Sequence, residues 1–252
     1  MTGGITPSIS VCMATYNGER YLANQLRSIL DQLGDHDEVV VSDDQSTDAT
    51  LKIVKDFDDA RLRILPATRV ASPILNFENA LNQVRGETII LADQDDVWLP
   101  NKVTLVRQLF AQRKFEAYAV VLDGVVVDAE GKELFPSIFD KLGSGPGIVK
   151  NIYDNTFLGC CMAFTRTSLE LSLPFPATIP MHDMWIGLVT SVFGKVDFVR
   201  EKTILYRKHG GSVTNFERQF RPWLQIQRRL FLSCNLAARS WQRKAFAKRA
   251  TA

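Results

Sequence analysis

Cysteine is scarce in this chain, and its few cysteines form no pattern. Cys12, Cys160, Cys161 and Cys234 lack the paired spacing of a zinc module, and neighbours such as Cys160 and Cys161 rarely bond to each other. A disulfide scaffold is thereby excluded, and a reducing cytoplasmic setting is expected. Long apolar runs are missing too: none approaches the ~20 residues of a membrane-spanning helix. Met1 to Pro7 lacks the basic and apolar stretches of a secretory leader, so export by that route is not expected. Repeats and low-complexity tracts are also absent. What remains is an ordinary globular balance, 252 residues with 46% hydrophobic and 23% charged, enough to bury one substantial core without a second globular domain.

The most telling segment is Asp93-Gln94-Asp95-Asp96, which follows the apolar run Thr88-Ile89-Ile90-Leu91-Ala92. Clustered carboxylates suit a hard cation, and Mg²⁺ or Mn²⁺ held by one or two protein oxygens keeps open positions that substrate phosphates fill. In extended backbone alternate side chains share a face, so Asp93 and Asp95 point one way and Asp96 the other, which assigns metal duty to the first pair. Taken alone, the segment also reads as a solvated acidic turn.

Two more polar clusters follow apolar runs. Ile9 to Ala14 reads as a buried strand ending at Thr15-Tyr16-Asn17-Gly18, and Leu22, Leu26, Ile29, Leu30 and Leu33 then recur at helical spacing until Gly34. Glu38 to Ser42 reads as a second strand running into Asp43-Asp44-Gln45-Ser46-Thr47-Asp48. A helix is predicted from Ala49 to Phe57, capped by Ser46 or Thr47 with Asp48 in its first turn. A short strand at Leu62 to Leu65 and a helix from about Asn76 to Val84 precede the acidic strand. Strands alternating with helices imply parallel pairing with right-handed crossovers, and such sheets bind ligands beyond the carboxyl ends of their strands. All three polar clusters fall at those ends, so they are expected to line one crevice.

The ordered motifs Ser10 to Gly18, Val41 to Asp48 and Leu91 to Trp98 resemble the family 2 inverting glycosyltransferases with the GT-A fold, and most closely their bacterial rhamnosyltransferase branch. The resemblance covers roughly residues 8 to 215. Gln45, where the wider family usually carries Gly, and the absence of an Ala-Arg-Asn sequence between Arg69 and Asn79 are departures that bear on donor choice. The resemblance implies an α/β fold: a GT-A-type, Rossmann-like, mostly parallel central sheet with flanking helices. It further implies that Thr15, Tyr16 and Asn17 border the nucleotide base, with Asp43 or Asp44 accepting from it. Asp93 would face the ribose or a metal-bound water, and Asp95 would ligate Mg²⁺ or Mn²⁺ beside the donor phosphates.

Transfer with inversion needs a general base opposite the leaving group. The candidate is Asp183 in Met181-His182-Asp183-Met184-Trp185, just ahead of an apolar helical stretch, where a carboxylate fits an N-cap as well as a base. The resemblance makes Asp183 the presumed base, with His182 and Trp185 as acceptor-side or orienting groups; an isolated His also fits a purely structural hydrogen bond. Thr156 to Phe164 reads as a strand with an early glycine, and the resemblance implies that Gly159 borders the donor sugar, though core packing explains the segment equally well. Tyr206 to Ser212 has the composition of a loop able to close on a diphosphate, with Arg207 and His209 as its donor-binding residues; a plain surface turn is the other reading. Gly143 to Gly147 is expected to be a flexible loop.

Charge divides the chain at about residue 216. Residues 216–252 carry nine Lys or Arg against the single acid Glu217, a balance of +8, while the remainder carries 21 basic against 27 acidic side chains. Residues 1–215 are thus read as the catalytic domain and 216–252 as a basic amphipathic helical segment. Trp223, Ile226, Leu230, Ala237 and Trp241 form its apolar stripe, following Pro222. Such a helix suits the anionic inner face of the cytoplasmic membrane, or docks on the core or on a second subunit; nucleic acid is not expected beside an acidic catalytic half.

The resulting expectation is a transferase moving a sugar, with L-rhamnose from dTDP-rhamnose implied by resemblance, from a nucleoside diphosphate donor to a growing cell-surface glycan or polyprenyl-linked acceptor. Two alternatives stand beside it. Asp93-Gln94-Asp95-Asp96-Val97 also fits the Asp-x-Asp-x-Val pattern of haloacid-dehalogenase-like phosphatases, and a non-catalytic nucleotide-sugar or glycan-binding protein would need the same clusters without the base.

Overall fold

The computed structural model describes residues 9–66, 69–210 and 229–241. Its first half alternates as predicted: β1 (Ile9–Thr15), α1 (Leu22–Leu30), β2 (Glu38–Asp43), α2 (Thr50–Asp56), β3 (Leu62–Ile64), α3 (Pro73–Leu81) and β4 (Thr88–Ala92). β1 pairs in parallel with β2 and β4, and β2 with β3. Val39, Val40 and Val41 of β2 and Ile89, Ile90 and Leu91 of β4 are fully buried. Such continuous burial is what a parallel sheet covered on both faces requires. Leu22, Leu26 and Ile29 of α1 and Phe77, Ala80 and Leu81 of α3 supply part of that cover.

The second half widens the sheet in mixed directions. It adds β5 (Val97–Trp98), α4 (Lys102–Ala111), β6 (Tyr118–Val127), β7 (Glu133–Phe135), α5 (Ile138–Leu142), α6 (Ile148–Tyr153), β8 (Met162–Thr165), α7 (Arg166–Ser172), α8 (His182–Phe193) and β9 (Lys195–Arg207). Strand order is β3-β2-β1-β4-β8-β6-β9-β5, with β7 on β6. β8 inserts antiparallel between β4 and β6, and β5 and β7 also run against the rest, so the sheet is parallel in its main direction but not throughout. A last helix, α9, covers 229–241.

Register brings the polar clusters together. Thr15 lies opposite Asp43, and Met13 opposite Ala92, so the chain leaves β1, β2 and β4 at one edge of the sheet.

Some local expectations change. Neither Ser46 nor Thr47 caps α2; its N-cap is Ala49, because the Ser46 hydroxyl is taken by Asp43 and the Thr47 amide by Asn17. α3 starts three residues before Asn76, with Ser72 as its side-chain cap and Pro73 as its first residue. The strand expected from Thr156 begins only at Met162, since Gly159–Cys161 forms a 3₁₀ turn. Gly143, at φ 63°, closes α5, so the predicted glycine loop is the α5–α6 junction. Much of the basic tail, at 211–228 and 242–252, lies outside the described residues, including Trp223, Ile226 and Ser212.

Candidate active site

A cleft of about 460 Å³ opens at this sheet edge. Thr15, Tyr16 and Asp44 line one end, the start of α3 another wall, Asp93 and Asp95 the floor, and Gly159, His182, Asp183 and His209 the far side. Ligand pockets of small molecules have this order of size.

At the β1 and β2 ends the two neighbouring acids divide their work. Asp43 is buried and its oxygens accept from the Thr15 hydroxyl (2.8 Å), the Ser46 amide (2.8 Å) and the Ser46 hydroxyl (2.6 Å). It organises the turn and does not line the cleft. Asp44 does line it, and its Oδ1 accepts from the Val70 and Ala71 amides at 2.6 and 3.1 Å, drawing the loop ahead of α3 into the wall. Asn17 stands outside: at φ 46°, its side chain holds the Thr47 amide at 2.8 Å. Tyr16 is exposed at the cleft rim, its main chain held on both sides by the side-chain amide of Gln94. Gln94 Oε1 accepts from Tyr16 N and Nε2 donates to Tyr16 O, each at 2.9 Å. A Cβ at Gly18 would fall 2.3 Å from Gln94 Oε1, so a larger residue there would displace the Gln94 amide from Tyr16.

The acidic segment bends just after β4, so that Asp93, Gln94 and Asp95 all reach the cleft and strand alternation does not hold there. Asp93 and Asp95 border the cleft, while Asp96 is fully buried behind them with Oδ1 accepting the Arg207 amide at 2.9 Å. Burial, then Asp95 and then Asp183, push the Asp93 carboxyl up to about 7. Burial and the other two acids raise Asp96 as well. Asp95 Oδ2 meets His209 Nε2 at 2.7 Å, and His209 packs against Tyr21 with ring centroids 5.0 Å apart. The Asp93 and Asp95 carboxylates at the cleft are oxygen donors of the kind that suit Mg²⁺ or Mn²⁺.

Behind the floor, Asp93, Asp96 and Cys160 place ligand-type atoms within 4.8 Å of one another. Burial holds the Cys160 thiol protonated, well above its ordinary range, so it does not offer a thiolate to a metal. Fully buried Lys102 supplies the compensating charge. Its Nζ donates to the Cys160 carbonyl at 2.6 Å and lies 4.5 Å from the Trp98 ring centre. Burial lowers its pKa, while Cys161, Cys160, Asp96 and Asp93 pull it back up. Nothing in the sequence singled out Lys102.

At the far wall Asp183 is buried in the first turn of α8. It is not the cap, which is Met181; its Oδ2 accepts the Gly159 amide at 2.9 Å and its Oδ1 the Met184 amide at 2.6 Å. Burial raises its pKa to about 6, outweighing those N–H bonds, which lower it. His182 is buried to 3% exposure and stacks on Phe77 at 4.1 Å, yet neither ring nitrogen has a hydrogen-bond partner. Burial depresses its pKa to about 3, so the ring is neutral. The structural hydrogen bond open to it in the sequence is thus not made.

Besides Asp43 and Asn17, two more proposed site residues face elsewhere. Trp185 is fully buried, its indole N–H donating to the Ser172 carbonyl at 2.9 Å; two positions beyond Asp183 on a helix, it turns toward α7. Arg207 ends β9 instead of joining a loop. Its guanidinium donates to the carbonyls of Asp95, Asp128 and Ala129 and lies over Tyr21, which leaves the cleft to His209. The wall formed by Ser72, Asn76 and Phe77 went unrecognised in the sequence. Ser72-Pro73 before an apolar stretch is a helix-start signal that could have placed it.

Comparison with known proteins agrees with this architecture. The family described as "Glycosyl transferase family 2" matches residues 10–171. The dTDP-rhamnosyl transferase RfbG of Shigella flexneri is 26% identical over 95% of this chain and 84% of its own length. The putative glycosyltransferase EpsE of Bacillus subtilis is 32% identical over 52% of this chain and 49% of its own length. This chain spans about half to three-fifths of EpsE and of several other curated relatives. Among solved structures, S. aureus TarS 1-349 in complex with UDP-GlcNAc superposes with a TM-score of 0.65 at 22% identity, covering 81% of this chain and 60% of that one. The mannosyltransferase PcManGT from Pyrobaculum calidifontis, in complex with GDP-Man and Mn²⁺, gives 0.58 at 22% identity over 78% and 55%. A mixed sheet with flanking helices, an acidic floor and a family match over more than half its length place this chain in glycosyl transferase family 2, with a GT-A fold.

Proposed function

We propose that residues 1–215 form a metal-dependent inverting glycosyltransferase, and that the donor is a nucleoside diphosphate sugar. The observation that carries this reading is the position of Asp183: a desolvated carboxylate with a pKa near 6 shares one cleft with Asp93 and Asp95. Base and phosphate ends of one reaction are thus provided for. The phosphatase alternative gives way to family membership, and a non-catalytic binder has no use for such a carboxylate.

In this reading the nucleotide base lies between Tyr16, Thr15 and Asp44, and the diphosphate points toward Asp93, Asp95 and His209. Asp95 and Asp93 would hold Mg²⁺ or Mn²⁺, which would neutralise the charge the diphosphate gains as it leaves, and His209 on Asp95 would face the phosphates. Gly159 keeps the wall bare where the sugar passes. Asp183 takes the proton of the acceptor hydroxyl as that oxygen bonds to the anomeric carbon from one face. The bond to the diphosphate breaks on the other face, inverting the centre. His182, neutral and unpartnered, offers one donor and one acceptor to a sugar hydroxyl. Gly159 and His182 crowd together, a Cβ on Gly159 falling 3.2 Å from His182 Nε2, so the wall has no spare room.

Relationship to RfbG favours dTDP-L-rhamnose as donor. Two further relatives are named as glucosyltransferases acting on undecaprenyl-diphosphate-linked substrates, which favours a polyprenyl-linked, growing cell-surface glycan as acceptor. The reaction would then run at the inner face of the cytoplasmic membrane.

The test is release of nucleoside diphosphate from a panel of dTDP-, UDP- and GDP-sugars, with and without Mn²⁺. Release from dTDP-rhamnose above the other donors is expected. Cation-independent release, or none from any donor, would overturn the proposal.

A further inference from the structure

We infer that the outward face of α9 is a docking surface for an anionic lipid bilayer. The helix is amphipathic the wrong way round for a water-facing element. Leu232 and Leu236 turn inward and are buried. Arg239 donates to the carbonyls of Leu173 and Pro174 at 2.7 Å each and lies 5.7 Å from the Trp185 ring centre. Arg229 donates to the Tyr153 carbonyl at 2.9 Å and lies 4.3 Å from its ring centre. The cations of the helix thus spend themselves on the protein.

At 100° per residue, positions 230, 234, 237 and 241 stand together on the opposite side. They are Leu230, 63% exposed, Cys234, Ala237 and Trp241, 74% exposed, flanked by exposed Phe231 and Ala238. No charged residue interrupts this face. It includes the three described members of the stripe read from the sequence, so in that stretch docking on the protein's own core is excluded. Exposed Tyr153 and Val149, one turn apart on α6, continue the apolar surface beyond Arg229. A soluble helix puts its polar side outward, and an interfacial helix puts its apolar side into the lipid boundary.

Charge selects the occupant. Residues 216–252 carry nine basic side chains against one acid; besides Arg229 and Arg239, which the protein's own carbonyls engage, the neighbouring sequence supplies Arg228, Arg243, Lys244, Lys248 and Arg249. A symmetric contact between two copies of this face would bring two +8 segments together, which repel. An anionic bilayer takes up both the apolar stripe and the surrounding positive charge, and a tryptophan is suited to its headgroup boundary.

The test uses the full chain and vesicles of phosphatidylcholine, alone or with about a third phosphatidylglycerol, scored by co-sedimentation and tryptophan emission. Binding to the anionic vesicles with a blue shift is expected, weakening about tenfold or more between roughly 0.05 and 0.5 M salt. Leu230→Glu with Trp241→Glu should lower partition about tenfold or more and leave the thermal transition unchanged, since both side chains are exposed. If that pair disturbs folding, Leu230→Gln with Trp241→Gln reads the same quantity. A full chain that ignores anionic vesicles, or a variant that binds them as well as the parent, overturns the inference. Conversion of a dimer to a monomer by the same variant, with no change in vesicle binding, would assign the face to a second copy instead.

Discussion

Gly159 donates its main-chain N–H to Asp183 Oδ2 across 2.9 Å, tying the wall of the cleft to the carboxylate proposed as base. The contact joins the turn before β8 to the first turn of α8, segments 24 residues apart, and aims the carboxylate without consuming all its lone pairs.

Asp183→Asn keeps the shape and one accepting oxygen but removes the base. Turnover should fall by roughly two to four orders of magnitude with donor affinity near the parent value. In the parent enzyme the acid must be ionised to act, and burial has moved it from 3.8 up to about 6. Turnover should therefore decline as pH falls through about 6, two units above where an ordinary aspartate would act. His182, neutral down to about 3, should add no second limb. A profile flat to pH 5 would remove Asp183 from the base role.

Asp95→Ala should abolish cation-dependent donor binding and leave the fold intact, since its carboxylate is at the cleft and its partner His209 keeps Tyr21 as a neighbour. Calorimetry of nucleoside diphosphate with and without Mn²⁺ reads this directly. Unchanged affinity would take Asp95 out of the metal site.

The parallel half of the sheet was legible because its signals are local: apolar runs of strand length, helical spacing between them, and polar clusters at each strand end. The same reading separated Asp96 from Asp93 and Asp95, but it did so by strand alternation, whereas the chain bends after β4 and brings Gln94 to the cleft as well. What it missed depends on contacts remote in sequence. Nothing near Trp185 tells that its indole points to α7, and nothing near Lys102 tells that the Cys160 carbonyl will take its ammonium. Arg207 had the composition of a loop residue, and only the length of β9 turned its guanidinium to carbonyls. Choosing Asp44 over Asp43 for the cleft likewise needed the turn in which Ser46 folds back on Asp43.

His182→Phe should raise stability at acid pH relative to the parent. Folding depresses the His182 pKa from 6.5 to about 3, so between those values the unfolded chain binds a proton that the folded chain does not. The parent loses stability from this residue as pH falls below 6.5, and the Phe variant, still able to stack on Phe77, does not. Urea unfolding at pH 7.5 and 5.5 should show the difference growing toward acid; a constant offset would contradict the assigned pKa.

Lys102→Met should cost about 3–5 kcal/mol, because it leaves Asp93 and Asp96 without the only buried ammonium the described residues provide behind them. Denaturant midpoints at neutral pH give the value. A loss below about 1 kcal/mol would show the acids are balanced by other means.

The paired hydrogen bonds between Gln94 and the Tyr16 main chain have a consequence for ligand recognition. Gln94 stands between Asp93 and Asp95, so the segment that would read the base and the segment that would hold the cation are mechanically one piece. If what steadies Tyr16 also steadies the two carboxylates, each ligand tightens the other, and linkage makes the factor the same in both directions. A nucleoside lacking phosphates would then still sharpen cation affinity, and the cation would sharpen preference among bases. Discrimination between donors would then be a property of the loaded cleft as a whole, set in part by the Gln94 side chain that joins its two ends.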